Sequence, residues 1–304
     1  MSTNKVHSFQ QVDLAMVVGF LIKQWKTYLL SAAFFLFIFS VISLNLTKIW
    51  VADAIVIESS GKSSSADPAT ASMVAQFAGI NLGGGGSDVL MTIKRQLRTK
   101  DFFAEMIKDE EFYKEVIAVS GYDEENKRNL YDSDFYDAEN SEWITKPSFF
   151  EAYEKYLTIV TGGFLDEAYR EFLIIRADHR SPISAKNIVD KIVAKINSNK
   201  KSDDIAEAEN MINYLQLELL KTNQVNLIVA INRLMDNQIK SKMFANVKDD
   251  YVVKVIDSPY IPEKRSKPRR TFFVIVWTLI SELILTLFFI TRFIFFRSSE
   301  EIAG

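Results

Sequence analysis

Apolar residues along this chain are concentrated in two long runs, one near each end. The first, residues 28–46, contains no charged residue, and the second, residues 271–294, carries the acid Glu282 near its centre. About 20 apolar residues are enough to cross the ~30 Å hydrocarbon core of a bilayer, and a helix satisfies its own backbone hydrogen bonds there. Cleavage at the A-x-A-like sequence 52–54 would require an unusually long signal peptide. The pattern therefore predicts two transmembrane helices flanking a polar region, residues 47–270.

The charges beside the two predicted spans indicate opposite orientations. Basic residues outnumber acids before the first span, which favours a cytoplasmic N-terminus: Lys5, Lys23 and Lys26 against Asp13. The region before the second span is also strongly basic, although it lies on the external side in that orientation: Lys264, Arg265, Lys267, Arg269 and Arg270. Long loops cross membranes largely regardless of their charge, so the intervening domain weakens this objection. In either orientation, two spans place both termini on one side.

Between the spans, strand-like and helix-like patterns alternate. Short runs rich in Val and Ile predict four strands: 50–58, 157–161, 171–177 and 251–256. The second and third are expected to be joined by a connection that contains Gly162-Gly163. Helical spacing predicts helices over 73–80, 88–119, 147–156 and 181–202. The last begins with the capping residue Ser181 followed by Pro182. Loops are expected over 59–72, 83–86 and 121–142.

The longest periodic segment covers residues 203–247 and contains neither proline nor glycine. Apolar residues, including Ile212, Leu215 and Leu219, repeat in alternating steps of three and four, which is the spacing of a packed helical seam. The repeat resumes at Leu227 after a skip of one residue. A single helix over this segment would be roughly 70 Å long. We predict a long projecting helix that buries its apolar stripe against other helices of the same chain or of a neighbouring copy.

Two features of the second span and its approach are candidate functional elements. Pro259, Pro262 and Pro268 predict an extended, stiff connector, because proline removes a hydrogen-bond donor and restricts the preceding residue. Such a connector would set how the external domain stands on the bilayer. Glu282 is an ionisable group within a span, where it is energetically costly. It either contacts another helix or a lumen, or is a protonated glutamate tolerated beside other chains.

The sequence contains no recognisable catalytic centre. It has no cysteine and only two histidines, which excludes disulfides and a Cys/His zinc site. His7 lies beside the first span, and His179 has no Ser-His-Asp or H-E-x-x-H context, so we predict a structural role for it. No P-loop motif accompanies the glycine run, and no pair of carboxylates is singled out for glycoside hydrolysis. We expect no enzyme activity, no cofactor and no metal.

The acidic segment 121–142 and the net charge bear on two kinds of ligand, sugars and nucleic acids. The aromatic residues of the acidic segment 121–142 could stack on sugars, but a solvated loop that packs its aromatics on the domain is the expected structure. The net charge of −3 argues against a nucleic-acid-binding protein, which is usually basic.

Several segments of the chain, in their order, resemble the Wzz-type chain-length determinants, or polysaccharide co-polymerases, of bacterial inner membranes. The segments are VDLAMVVGFLIKQWKTYLL, AQFAGINLGGGGSDVLMTIKRQL, DHRSPISAKNIVDKIVAKIN, AENMINYLQLELLKT and VIDSPYIPEKRSKPRR. The resemblance implies a membrane-anchored α+β protein, in which an α/β periplasmic base domain carries a long projecting helix. It also implies ring-like homo-oligomers, control of O-antigen length, and a separate membrane polymerase that performs the chemistry. The family's second-span glycines are missing here, which puts GxxxG-type packing in doubt.

The resemblance and the two spans together predict the organisation of the chain. The expected parts are a cytoplasmic segment 1–27, a first span 28–46, a periplasmic domain 47–270, a second span 271–294 and a cytoplasmic tail 295–304. The expected partners are further copies of the chain, membrane lipid and the polymerase, with nascent polysaccharide as another candidate. Alternative functions are a component of capsule or exopolysaccharide export, a two-span envelope sensor, and a periplasmic enzyme acting on glycan.

Overall fold

The computed structural model describes residues 14–59 and 86–303. His7, the predicted helix 73–80 and most of the predicted loops 59–72 and 83–86 lie outside the described residues. The chain forms two compact units: Met1–Lys48 with Lys267–Gly304, here called the membrane unit, and Ile49–Ser266, here called the base unit.

The elements follow one another along the chain as a mixture of helices and strands. They are α1 (Leu14–Lys23), α2 (Trp25–Asn45), β1 (Trp50–Glu58), α3 (Gly86–Gln96), α4 (Lys100–Met106), α5 (Glu110–Ile117), β2 (Val119–Asp123), β3 (Arg128–Tyr131), β4 (Tyr136–Asp137), β5 (Glu142–Trp143), α6 (Phe149–Ile159), β6 (Val160–Phe164), β7 (Leu173–His179), α7 (Pro182–Lys221), α8 (Val225–Val247), β8 (Val253–Asp257) and α9 (Arg270–Ala303).

The membrane unit contains the two predicted spans. Helix α2 and the Arg270–Arg292 portion of α9 are both long and apolar enough to cross a membrane. Helix α9 continues to Ala303, so the predicted tail from residue 295 is helical as far as the structure describes it. Helix α1, which was not predicted, precedes α2 and is separated from it at Gln24. The predicted span starts are close to the observed ones, because uncharged apolar runs are easily recognised.

The base unit is built on a four-stranded antiparallel sheet with the order β6-β7-β1-β8. Strand β1 pairs with β7, where Trp50 lies opposite His179, and with β8, where Glu58 lies opposite Val253. Because β1 begins this unit and β8 is its last strand, the two strands nearest the spans in sequence are neighbours in the sheet. Trp50, the first residue of β1, is buried with its ring against Tyr122.

The first half of α7 covers this sheet. Its N-terminus is formed as predicted, because the Ser181 hydroxyl accepts a hydrogen bond from Ser184 N and Pro182 occupies the first turn. Strand β1 alternates between buried and half-buried residues, so one face of the sheet enters the core. Ile188 and Ile192 of α7 are fully buried in this core. Helices α3–α6 complete it, with Phe103, Phe112 and Tyr156 among its largest members.

The predicted helix ends and connections near β6 and α7 were partly wrong. Residues 157–159 continue α6, and the strand begins at Val160, so Gly162-Gly163 lie inside β6 rather than in a connection. A Cβ on Gly162 would come within 3.1 Å of Leu97 Cδ1, which explains a small residue there. Helix α7 does not end at 200–202, because polar residues alone do not stop a helix and Lys200 pairs with Asp204 one turn later at 2.6 Å.

The predicted single helix over 203–247 is instead a helical hairpin. It breaks at Thr222 and Gln224, whose backbones are extended, and α8 returns antiparallel to α7. The pairing is marked by the salt bridge between Lys242 and Glu209 at 2.8 Å. The break coincides with the skip in the heptad pattern, which was its only sequence signal. At 1.5 Å per residue α8 is roughly 35 Å long, about half the predicted length.

The acidic segment 121–142 was predicted as a loop and contains two small antiparallel hairpins. One pairs β2 with β3 and the other pairs β4 with β5. Asp123 and Asp137 each accept backbone hydrogen bonds inside the turns that follow, so these acids stabilise tight turns. This turn chemistry was overlooked because the strands are only two to five residues long.

Candidate functional site

A hydrogen bond joins the second turn of α2 to the middle of the apolar portion of α9. Ser31 Oγ of α2 donates to Glu282 Oε1 of α9 at 2.6 Å, and both side chains are half-buried. Of the two interpretations of Glu282, the structure therefore contains a helix–helix contact. A serine hydroxyl is a suitable donor there, because a polar side chain inside a bilayer needs a partner on a neighbouring helix.

The rest of the interface between these helices is aromatic and antiparallel. Tyr28 packs against Phe289 with ring centroids 5.8 Å apart, and Phe39 packs against Trp277 at 6.2 Å. At the end of α2, Arg270 Nη2 donates to the Leu44 carbonyl at 3.2 Å and so satisfies one of the last carbonyls of that helix. Aromatic edges and two polar contacts take the place of the glycine-based packing that is missing from the sequence.

The three prolines before the second span differ in their surroundings. Pro259 and Pro262 are buried in the base unit, and Pro268, which follows a cis peptide bond, is half-buried. Next to them, Ser266 N donates to the Ile49 carbonyl at 2.9 Å, which ties the end of the base unit to its beginning. That these prolines set the orientation of the external domain on the bilayer remains a prediction.

The helical hairpin has a packed inner side and an apolar outer side. Among the three predicted packing residues, Leu215 is buried, and Ile212 and Leu219 are half-buried. Around the turn at 222–224, large apolar side chains face solvent; this hairpin tip consists of Leu217 (59% exposed), Leu220 (84%), Val225 (73%) and Leu227 (43%). The heptad spacing predicted one apolar stripe, packed against helices of the same chain or of a neighbouring copy, and did not distinguish these exposed residues from the packed ones.

A buried polar cluster lies at the centre of the base unit. Glu115 of α5 is 4% exposed; its Oε1 accepts from Asn187 Nδ2 at 2.7 Å, whereas its Oε2 has no hydrogen-bond partner among the described residues. His179 at the end of β7 is 3% exposed, and its Nδ1 accepts from Ser181 N at 3.1 Å. The backbone of Glu115 also hydrogen-bonds the His179 ring, which links the two groups.

Burial shifts the pKa values of both groups toward their neutral forms. Desolvation raises the pKa of Glu115 to about 7, although the Asn187 hydrogen bond and Lys191 oppose it. Desolvation lowers the pKa of His179 to about 4. Glu115 was missed by sequence reasoning. Its position three residues after Phe112, at the edge of the apolar face of α5, was the available signal.

These groups form a structural cluster without the features of a catalytic site. His179 is enclosed and uncharged near neutral pH, which agrees with the structural role predicted for it. Its neighbours Ser181 and Ser184 hydrogen-bond to Asn129 and cap α7, so their hydroxyls are already engaged. Among residues 14–59 and 86–303, no group of three His, Asp or Glu side chains could hold a metal ion.

The aromatic side chains of the acidic segment pack on one another. Tyr136 lies between Tyr131 and Trp143, with centroid distances of 5.3 and 5.4 Å. Trp143 also contacts Tyr113 at 5.0 Å and donates its Nε1–H to Glu110. These rings contact one another and Tyr113 of α5, which agrees with the expected packing of the segment's aromatics on the domain.

No protein-family model and no curated protein sequence matches this chain. Solved structures of polysaccharide co-polymerases are remotely similar to it. A "full-length bacterial polysaccharide co-polymerase" is 10% identical, with a TM-score of 0.37, over 91% of this chain and 96% of that chain. A fragment of WzzB, a polysaccharide co-polymerase from Salmonella Typhimurium, is 11% identical, with a TM-score of 0.30, over 73% of this chain and 100% of that chain. The chain is thus remotely similar to polysaccharide co-polymerases of known structure.

Proposed function

We propose that this chain is a non-catalytic, self-associating regulator of polysaccharide chain length in a bacterial inner membrane. In this proposal the base unit and the hairpin lie in the periplasm and act on O-antigen together with a separate membrane polymerase. The observation that carries the proposal is the helical hairpin, which presents apolar side chains outward from a membrane-anchored base. The sequence segments that resemble chain-length determinants supply the process in which such a scaffold would act.

The hairpin tip supports self-association. Leu220 and Val225 are among the most exposed large apolar side chains of the described residues, and they lie on either side of the same turn. A clustered apolar surface of this kind is characteristic of a protein interface. A second copy carries the same surface on the same hairpin, so repeated contacts between copies generate a symmetric assembly.

The interior of the base unit supports a non-catalytic role. Two ionisable groups with strongly shifted pKa values, Glu115 and His179, are buried there and engaged in hydrogen bonds within the base unit. A scaffold that regulates polymer length acts through shape and partner contacts, so it needs no nucleophile or general base.

The cellular test is the length distribution of O-antigen on a gel. Deletion of the gene is expected to change the ladder, and the wild-type chain is expected to restore it. L220D/V225D is expected to be inserted normally but to fail in restoring the modal length. The control I144D/L165D places two acids at base-unit positions that are each 59% exposed, and it is expected to restore the ladder.

The biochemical test is the size of the detergent-solubilised complex, measured by light scattering and electron microscopy. We expect a homo-oligomer for the wild-type chain and the control, and a smaller species for L220D/V225D. A monomeric wild-type chain would contradict self-association, and an unaltered ladder after deletion, with the polymerase present, would contradict the proposed function.

A further inference from the structure

The segment immediately before the second span is strongly cationic. Residues 264–270, here called the juxtamembrane basic segment, contain five basic residues and no acid: Lys264, Arg265, Lys267, Arg269 and Arg270. The first four of these side chains are exposed. Arg270 differs, because its Nη2 is bonded to the Leu44 carbonyl. Four cations are therefore presented to solvent within six consecutive residues.

The covalent chain keeps these cations close to the end of the span. Helix α9 begins at Arg270, and its apolar portion starts there. An extended chain covers at most about 3.6 Å per residue, so Lys264 stays within roughly 22 Å of that point and Arg269 within about 4 Å. This bound holds for any path of the backbone. The short linker after α2 adds one more exposed cation, Lys48.

Three of the exposed cations of this segment, Lys264, Arg265 and Arg269, form no salt bridge within the described ranges 14–59 and 86–303. The nearest acid along the chain is Glu263. The backbone is nevertheless held, because Ser266 N donates to the Ile49 carbonyl at 2.9 Å. Cations on an anchored backbone are presented to an outside partner with less loss of conformational freedom than cations on a loose tail.

Apolar side chains accompany the cations. Tyr260 and Ile261 are 61% and 49% exposed, between the buried Pro259 and Pro262. Tyrosine is enriched where a protein meets the headgroup region of a bilayer, and basic side chains there are attracted to anionic lipid. Exposed Tyr and Ile followed in sequence by exposed cations and then by a span is a composition that suits a lipid headgroup surface.

We propose that the juxtamembrane basic segment binds the phosphate groups of anionic phospholipid, in the leaflet at the Arg270 end of the second span. The guanidinium groups of Arg265 and Arg269 present paired donors to phosphate oxygens, and Lys264 and Lys267 add point charges. This proposal requires only that α9 crosses the bilayer. It is therefore independent of the chain-length function, and each can fail without the other.

The test uses the full chain, which has no cysteine of its own. Ser266→Cys is labelled with a fluorophore, and the protein is placed in nanodiscs of phosphatidylcholine. Trace headgroup-spin-labelled phosphatidylglycerol or phosphatidylcholine is then added as the quencher. We expect stronger quenching by phosphatidylglycerol, and we expect 0.5 M NaCl to remove most of the difference because salt screens exposed charges.

Three variants, each made in the labelled chain, separate charge at this segment from general effects. In K264Q/R265Q/R269Q the preference for phosphatidylglycerol should fall by roughly fivefold for each cation removed. In K264R/R265K/R269K, which keeps the charge, the preference should persist. The control R233Q/K240Q/K254Q neutralises three exposed cations elsewhere in the base unit and should also keep it. Equal quenching by both lipids in the parent chain, or an undiminished preference in the neutralised variant, would overturn the proposal.

Discussion

The buried pair Glu115 and His179 should give the base unit an unusual dependence of stability on pH. The pKa of Glu115 is raised from an ordinary 4.5 to about 7, so the folded state binds a proton that the unfolded state releases. Its stabilising contribution is present below pH 4.5 and is lost as the pH rises through 7. At about 1.4 kcal/mol per pKa unit, the loss amounts to about 3 kcal/mol.

His179 acts in the opposite direction over nearly the same range. Its pKa is lowered from an ordinary 6.5 to about 4, so the unfolded state binds the proton first. Its contribution is present above pH 6.5 and is lost as the pH falls through 4, again by about 3 kcal/mol. Between pH 4.5 and 6.5 one contribution falls with pH about as steeply as the other rises, so their sum is nearly independent of pH in the wild-type chain. Replacing either Glu115 or His179 alone should therefore reveal how the free energy of unfolding depends on pH through the other residue.

Glu115→Gln is the informative change, because the amide keeps an oxygen acceptor for Asn187 Nδ2 and removes the buried charge. At pH 8 the variant should be more stable than wild type by about 3 kcal/mol. Its stability should rise with pH between 4 and 6.5, which is the slope expected from His179. The reciprocal variant His179→Asn keeps an acceptor for Ser181 N, and its stability should fall as the pH rises from 4.5 to 7.

The assay is urea unfolding of the full chain in detergent at a series of pH values. Fluorescence and near-ultraviolet circular dichroism would report on Trp50 and Trp143, the tryptophans of the base unit. Lys191 and Asp109 near Glu115, and Lys155 near His179, stay unchanged in all three chains, so they cancel in the comparison. Parallel pH profiles for wild type and Glu115→Gln would refute the reasoning.

Two further predictions concern single hydrogen bonds, and a third concerns the hairpin. Tyr156→Phe should cost about 1–3 kcal/mol in the same urea assay, because the buried Leu97 carbonyl loses its donor at 2.8 Å. Ser31→Ala should lower the thermal stability of the membrane unit in detergent by about 0.6 kcal/mol, whereas Glu282→Gln, which keeps the acceptor, should cost less; equal losses would contradict a specific contact. Exchanging hairpin 203–247 for that of a relative with a longer product should lengthen the O-antigen ladder, and an unchanged ladder would argue against hairpin-encoded length.

The elements that could be predicted are those specified by residues close together in the sequence. The two membrane helices follow from uninterrupted apolar runs, and the start of α7 follows from Ser181 and Pro182. Strand β1 was predicted at its observed bounds, Trp50–Glu58, because its Val and Ile residues and partial alternation are local signals. The identity of Pro259 and Pro262 was visible in the sequence, but their burial was not.

The features that required the tertiary structure all depend on residues far apart in the chain. The Ser31–Glu282 bond joins positions 251 residues apart, and no local pattern selects one serine as the partner. The turn at 222–224 has no proline or glycine that would mark it in the sequence. The contact that accompanies it is tertiary, because α8 packs back along α7 and buries Ile231 and Ala245. The altered proton affinities of Glu115 and His179 arise from burial beneath several elements. Apolar runs, local alternation and capping residues therefore determined the two spans, strand β1 and the start of α7. Long-range packing alone decided the hairpin, the contact between α2 and α9 and the buried titratable pair, because desolvation and the choice of partner depend on the assembled fold.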